Sequence, residues 1–318
     1  MTLRNGFPAV SDAADQFDIR AALRATTAQD ANGNIKTGVS ITAKSLTGLV
    51  TAGNGMNSNI AAFDAVINRY GPVWLSNDGT ISVKHAAAPS ANSRIDLICI
   101  KQNETAAPAS DPTDGPEAII VTGTPAVDPV TPATPEGALA LARVTIPSTA
   151  TSMTSNGVIY EQLYPFTASA GADLLFRSET EKDAWAPWDG QKCRLLDGNE
   201  YQAKSGAWFS LTQRSTDWRV PYSSDSVLLT RIGGICFMGG NVKFNQSGEN
   251  NYSPAQETIP AGYRPVAKVN TPVAVFGGNT TFVLYAEHTG KVVMLGNPNK
   301  AYAGCTGVWR TADPMPAA

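Results

Sequence analysis

The side chains able to do chemistry are few and widely spaced. Two histidines are present, His85 and His288. Neither sits in a G-x-S-x-G elbow, an H-E-x-x-H helix or any other spacing that assembles a nucleophile or a metal site, and both read as surface residues. Cys99, Cys193, Cys236 and Cys305 form no C-x-x-C pair, so the sequence holds no zinc or redox motif. Cys99 and Cys236 lie inside apolar runs, as buried thiols do. Glycan cleavage needs two carboxylates on one face, and residues 219–318 offer Asp225, Glu249, Glu257, Glu287 and Asp313. Glu249 and Glu257 stand in a polar tract and Asp313 in the tail, which favours solvated charges over a catalytic pair. No phosphate loop, dinucleotide fingerprint or calcium loop occurs, so no cofactor or metal is expected, and no catalytic residue is assigned.

Saccharide recognition is better provided for. Tyr252, Asn279, Tyr285, His288, Asn297, Asn299, Tyr302 and Trp309 fall in expected loops or at strand ends. An aromatic face beneath a sugar ring, with amides reaching its hydroxyls, makes a shallow glycan site. Taken singly, Trp309 and Tyr285 fit a core equally well, and the asparagines fit turns. Trp185, Trp188 and Trp208 form a second aromatic group, in a segment small enough to need large side chains for packing.

Strands must position most of these residues. The chain has 318 residues, 42% hydrophobic and 16% charged, with 28 Gly and 21 Pro, a composition that folds and leans toward strands and turns. Residues 12–25 read as a short helix or an extended segment. Ile60, Phe63, Ile67 and Tyr70 recur at helical spacing after Asn59, which predicts a helix over 59–70. Pro72 to His85 reads as a hairpin turning through Ser76-Asn77-Asp78-Gly79. Strands follow at 94–101, 118–122 and 138–146, with a proline-spaced surface crossing over 122–137. Ser178 caps a helical turn over 178–184, and 193–196, 200–203 and 207–211 form a three-stranded meander. Beyond a hinge at 213–220, seven strands are expected at 227–229, 235–238, 242–244, 271–276, 281–287, 291–295 and 306–309, in a β-sandwich or jelly roll. The tract between Phe244 and Ile259 reads as an exposed loop.

Net charge is −3, and only 219–318 is cationic, with 8 Lys/Arg against 5 Asp/Glu. That surplus lies far below a nucleic-acid footprint. The N-terminus lacks an apolar core of signal-peptide length, and no run of about 18 apolar residues occurs, so synthesis in the cytoplasm without membrane insertion is expected.

Two sets of residues carry a resemblance. Pro89, Arg94, Ile95 and Asp96, then Val121, Gly123, Pro125, Ala126, Pro129, Pro132 and Pro135, then Leu141, Ala142, Val144, Ile146 and Pro147 follow the order seen in virion-attachment domains of phage baseplate and tail-fibre proteins. Arg231-x-Gly233 through Gly239, followed by the corner Ile259-Pro260-Ala261-Gly262-Tyr263-Arg264-Pro265, resembles their C-terminal receptor-binding domains. The resemblance implies a mainly β homotrimer: an attachment domain over 1–162, a small β linker module over 163–218 and a receptor-binding β-sandwich over 219–318. It implies a virion component of a phage tail or baseplate, or of a phage-derived bacteriocin particle. Residues 1–162 would contact other tail or baseplate proteins, and the tip would bind a host cell-surface polysaccharide. A glycan-depolymerising tailspike enzyme and a purely structural component are the alternatives. Without the resemblance, Arg94 and Asp96 read as a polar pair on one face of an edge strand.

Overall fold

The computed structural model describes residues 15–245, 250–278, 282–297 and 302–316. It is mainly β and divides into two compact units, Met1–Leu196 and Asp197–Ala318. Residues 163–196 of the expected middle module belong to the first unit, and 197–218 to the second.

The first unit opens with helix α1 (Gln16–Thr26), started by a capping box in which Asp15 accepts from the Asp18 amide and Asp18 reaches back. Then come β1 (Gly38–Val39), the short helix α2 (Ala43–Thr47), β2 (Val50–Ala52) and β3 (Asn57–Ile60). Next are β4 (Phe63–Asn68), β5 (Pro72–Asn77), β6 (Ile81–Lys84), β7 (Ser93–Asn103), β8 (Gly115–Val121), β9 (Ala138–Pro147) and β10 (Ile159–Gln162). They pair as three sheets, β1-β4-β5, β2-β3-β6 and β10-β9-β7-β8. The sheets share one core that includes Ile60, Phe63, Ile67, Ile98, Leu141, Val144, Ile146 and Phe166.

Residues 59–70 are strand, not helix. Phe63, Ala65 and Ile67 point to the core with period two, while Asn59 pairs with Ser82 instead of capping. Tyr70 at φ 53° and Gly71 at φ 128° make the reversal that a helix would have forbidden. The expected hairpin over 72–85 does not pair with itself either: β5 pairs with β4, and β6 with β3. Strands β7 and β9 lie where the apolar runs put them. Leu97, Ile98, Cys99 and Ile100 are all buried because β7 is an interior strand, and a bulge opposite Ile98 and Cys99 places the extra residue, Leu141, on β9. The proline segment forms no named strand and carries β8 across β7 to β9, with Val127 and Val130 exposed.

After β11 (Leu174–Phe176), Ser178 caps α3 (Glu179–Asp183) by accepting from the Glu181 amide, and β12 (Lys192–Leu195) pairs in parallel with β11. Lys36 is nearly buried here, with Nζ 2.8 Å from Glu181 and 4.3 Å from the Phe176 ring centroid. Burial lowers its pKa, and Glu181 opposes that.

The second unit begins with the hairpin β13 (Glu200–Lys204) and β14 (Ala207–Ser210), turning through Ser205 and Gly206, both at positive φ. One antiparallel sheet follows: β15 (Gln213–Arg219), β16 (Ser226–Ile232), β17 (Ile235–Lys243), β18 (Asn250–Thr258), β19 (Thr271–Gly277), β20 (Phe282–Ala286), β21 (Lys291–Gly296) and β22 (Tyr302–Arg310). Their order is β15-β16-β17-β22-β19-β20-β21-β18. The sheet curls on itself, because the Trp218 indole on edge strand β15 donates to Thr258 O on edge strand β18 at 2.9 Å. Phe244, Phe276 and Phe282 fill the interior in tilted and T-shaped contacts of 5.1–6.2 Å. Two expectations change. Residues 235–243 form one strand rather than two, and Asn250–Thr258, read as loop, is an edge strand that tolerates Pro254 because it lies at the sheet margin.

The corner at 259–265 is wired to Arg231. Its guanidinium donates to the carbonyls of Gly233, Gly262, Asp313 and Pro314 at 2.6–2.8 Å. Asp313 accepts from the Gly262 amide and from Arg264 Nε and Nη2. Burial pulls the Asp313 carboxyl up, but these donors prevail and hold it below its ordinary value. Gly262 sits at φ 93°, and a Cβ there would lie 2.4 Å from Pro316 Cγ. Tyr263 is in the core.

Candidate functional site

The sheet of the second unit sorts the expected glycan residues. Lys243 at the end of β17 pairs with Tyr302 at the start of β22, and Gly277 at the end of β19 pairs with Gly304. Phe282 and Asn250, which begin β20 and β18, both pair with Gly296 at the end of β21. The ends of β17, β19 and β21 and the starts of β18, β20 and β22 therefore all lie at one end of the sheet. Tyr302 stands there 63% exposed, with Lys243 Nζ 5.8 Å from its ring centroid, and Asn297, which follows β21 at the same end of the sheet, is exposed. Asn279 and Asn299 lie outside the described residues, as does the side chain of Tyr252, whose backbone is near the start of β18.

The other three residues are not part of that cluster. His288 occupies the β20–β21 turn at the opposite end, exposed, its amide donating to Ala267 O. Tyr285 is half-buried within β20 opposite Val293. Trp309 is core: it is 7% exposed, and its indole donates to Tyr263 O at 2.7 Å, so it has no face to offer a sugar. Asp225 and Asp313 serve backbone amides and Arg264, and Glu287 accepts from Thr289. Among the described residues no cluster of His, Cys, Asp and Glu could hold a metal ion.

A constellation that the sequence did not announce lies inside the first unit. Ser58 Oγ on β3 is 2.8 Å from His85 Nε2, just past β6, and His85 Nδ1 is 2.8 Å from Asp96 Oδ2 on β7. Tyr160 on β10 bonds Ser58 Oγ at 2.7 Å. Asp96 also accepts from Arg94 Nε at 2.8 Å and from the Gly123 amide at 3.1 Å, while Arg94 donates to Ala86 O and Ala87 O. The donor order that satisfies every group runs Tyr160 to Ser58, Ser58 to His85 Nε2, and His85 Nδ1–H to Asp96.

The connectivity is that of a nucleophilic Ser-His-Asp relay. Its setting is different. Ser58 and Asp96 are fully buried and His85 is 2% exposed, and Ser58 Oγ is already held from both sides. In this conformation no substrate carbonyl reaches Oγ, and the network joins β3, β6, β7 and β10 across two sheets. Two expectations are thereby corrected. His85 is not a surface residue, and Arg94 and Asp96 are not on an edge strand, since β7 runs between β8 and β9 with both side chains buried. Burial pulls the Asp96 carboxyl up, but hydrogen bonds from His85, Arg94 and Gly123 hold it below its ordinary value.

The network also gives physical content to the Arg-x-Asp and Gly-x-Pro-Ala signature. Gly123 must place its amide on Asp96, and a Cβ there would stand 2.0 Å from Ile95 O. Ala126 then donates to Ser93 O and pins the start of the proline crossing. A scan of the chain against protein-family models returns no match, and a search of curated proteins returns none either.

Proposed function

We propose that the chain is a structural component of a phage tail or baseplate that attaches through residues 1–162 and recognises a host-surface glycan with the second unit. The observation that carries the reading is the interlocking of its signature residues: Arg94, Asp96 and Gly123 meet in one buried network, and Arg231, Gly262 and Arg264 in another. The receptor surface in this reading is the sheet end bearing Lys243, Asn297 and Tyr302, where an aromatic ring, a cation and an amide face solvent. His288 and Trp309 drop out of it.

Self-association belongs to the same reading. Leu228, Ile232, Ile235, Phe237, Val275 and Val308 are 39–59% exposed on the outer face of the neighbouring strands β16, β17, β22 and β19. Such a face suits burial against other copies in a homotrimer, which would repeat a weak sugar site three times. The test is competition. Purified full-length protein should block phage adsorption, Tyr302→Ala with Lys243→Ala should not, and Phe237→Glu should yield monomers by light scattering. Protein that is trimeric yet neither blocks adsorption nor binds host cells would leave a purely structural component.

A further inference from the structure

A groove of about 640 Å³ opens on the first unit, away from its core. Its floor is the outer face of the β1-β4-β5 sheet, where Asp64 pairs with Ser76 and Val66 with Trp74. One wall is formed where Thr27 bridges Ser169, and the lining continues to Asp173. The volume lies in the range of small-molecule sites, about 300–1,000 Å³.

The lining has a definite chemistry. Trp74 is 57% exposed, a large aromatic surface that the fold leaves in water when the neighbouring Leu75 turns toward the core. Ser76 donates to Asp64 Oδ1 at 2.5 Å, fixing the carboxylate on the adjacent strand, diagonal to the indole at about 7–8 Å. The second carboxylate oxygen remains available to accept from a ligand. Asp173 and hydroxyls of Thr26, Thr27 and Ser169 add further polar groups, and no Lys, Arg or His is among the described residues that line the groove. Two carboxylates without a cation disfavour phosphates, uronates and other anions.

We propose that this groove binds a neutral saccharide, one ring stacked on Trp74 and its hydroxyls donating to Asp64. A pyranose has an apolar face for the indole and equatorial hydroxyls that span the distance to the neighbouring carboxylate, and Val66, opposite Trp74 on the same face, supplies apolar floor. The inference is independent of the receptor-binding reading, since it concerns other residues in the other unit.

The test uses the full chain and calorimetric titration with neutral gluco-, manno- and galacto-oligosaccharides. An oligogalacturonate and a lysine-rich peptide serve as acidic and cationic probes. The expected result is binding of a neutral oligosaccharide that Trp74→Ala weakens about tenfold or more, Trp74→Tyr largely retains and Asp64→Asn also weakens. Thermal melting should be unchanged in all three variants, because both side chains are exposed. The proposal is overturned if no neutral probe binds at about 10 mM. It is equally overturned if Trp74→Ala leaves binding intact, or if only the acidic or only the cationic probe binds.

Discussion

Replacing Asp96 with Asn tests the buried network most directly. The side chain keeps its shape, but the charge goes and one of two acceptor oxygens becomes a donor. Asp96 receives four hydrogen bonds: from His85, twice from Arg94, and from the Gly123 amide. All of these donors need acceptors, so an amide group must face at least one of them. Arg94 is 4% exposed and loses its only anionic partner among its described contacts. Leaving one member of a buried ion pair uncompensated costs about 3–5 kcal/mol, a large part of the about 5–15 kcal/mol that holds a domain folded.

The assay is urea denaturation combined with hydrogen exchange read on peptides of β7, β8 and β9, which localises the loss to the first unit. The pH dependence supplies a second reading with a fixed sign. The folded pKa of Asp96 is lowered, so its contribution is complete above the unfolded value, about 3.9, and is lost as pH falls through the folded value. The gap between wild type and Asp96→Asn should therefore be full at neutral pH and narrow below about pH 4. A loss under about 1 kcal/mol at pH 7, or a gap that widens in acid, would refute the account of Asp96 as the anion on which Arg94 depends.

Two further substitutions probe the signatures. Gly123→Ala forces a Cβ to within 2.0 Å of Ile95 O, so the crossing must shift and release the Asp96 contact. The expected loss is more than about 2 kcal/mol, measured by thermal or urea melting, with faster exchange near Ala126. Arg231→Met strips a donor from the carbonyls of Gly233, Gly262, Asp313 and Pro314. It should cost about 3 kcal/mol or more on the transition of the second unit, and Arg231→Lys should not rescue it, because an ammonium cannot span four acceptors in a planar fork.

The strands that were legible in the sequence are those whose burial is one-sided or complete. The apolar runs of β7 and β9 announce themselves through short-range preference. Residues 59–70 misled because Ile60, Phe63 and Ile67 satisfy a helical spacing, while the same side chains in two successive strands reach one core. The expected reversal at 76–79 does not occur: the chain runs on in one direction there, β5 pairing with β4 and β6 with β3, and the reversal lies at Tyr70-Gly71. β5 and β6 answer to strands of two different sheets. Strand β18 was hidden by its position: an edge strand needs few apolar residues and can hold a proline, so it looks like a loop.

The site residues were less legible, for a related reason. Arg94 and Asp96 at spacing two look like a solvent-facing pair unless one knows that β8 and β9 cover both edges of their strand. His85 lacks any local motif, because its partners Ser58 and Asp96 come from other strands 27 and 11 residues away. A sequence signal did exist. Gly123 and the Arg-x-Asp pair belong to one pattern, and a glycine required beside a charged pair points to a backbone amide brought against a carboxylate. The groove offered no such signal. Its parts come from the end of α1, the two residues after β1, two strands of a small sheet and the segment before β11. None is distinctive alone, and Trp74 reads as one more hairpin aromatic until the sheet turns it outward beside Asp64 and Ser76. Packing explains buried residues whatever their function, so an exposed tryptophan beside an oriented carboxylate is the feature of this unit that packing leaves over.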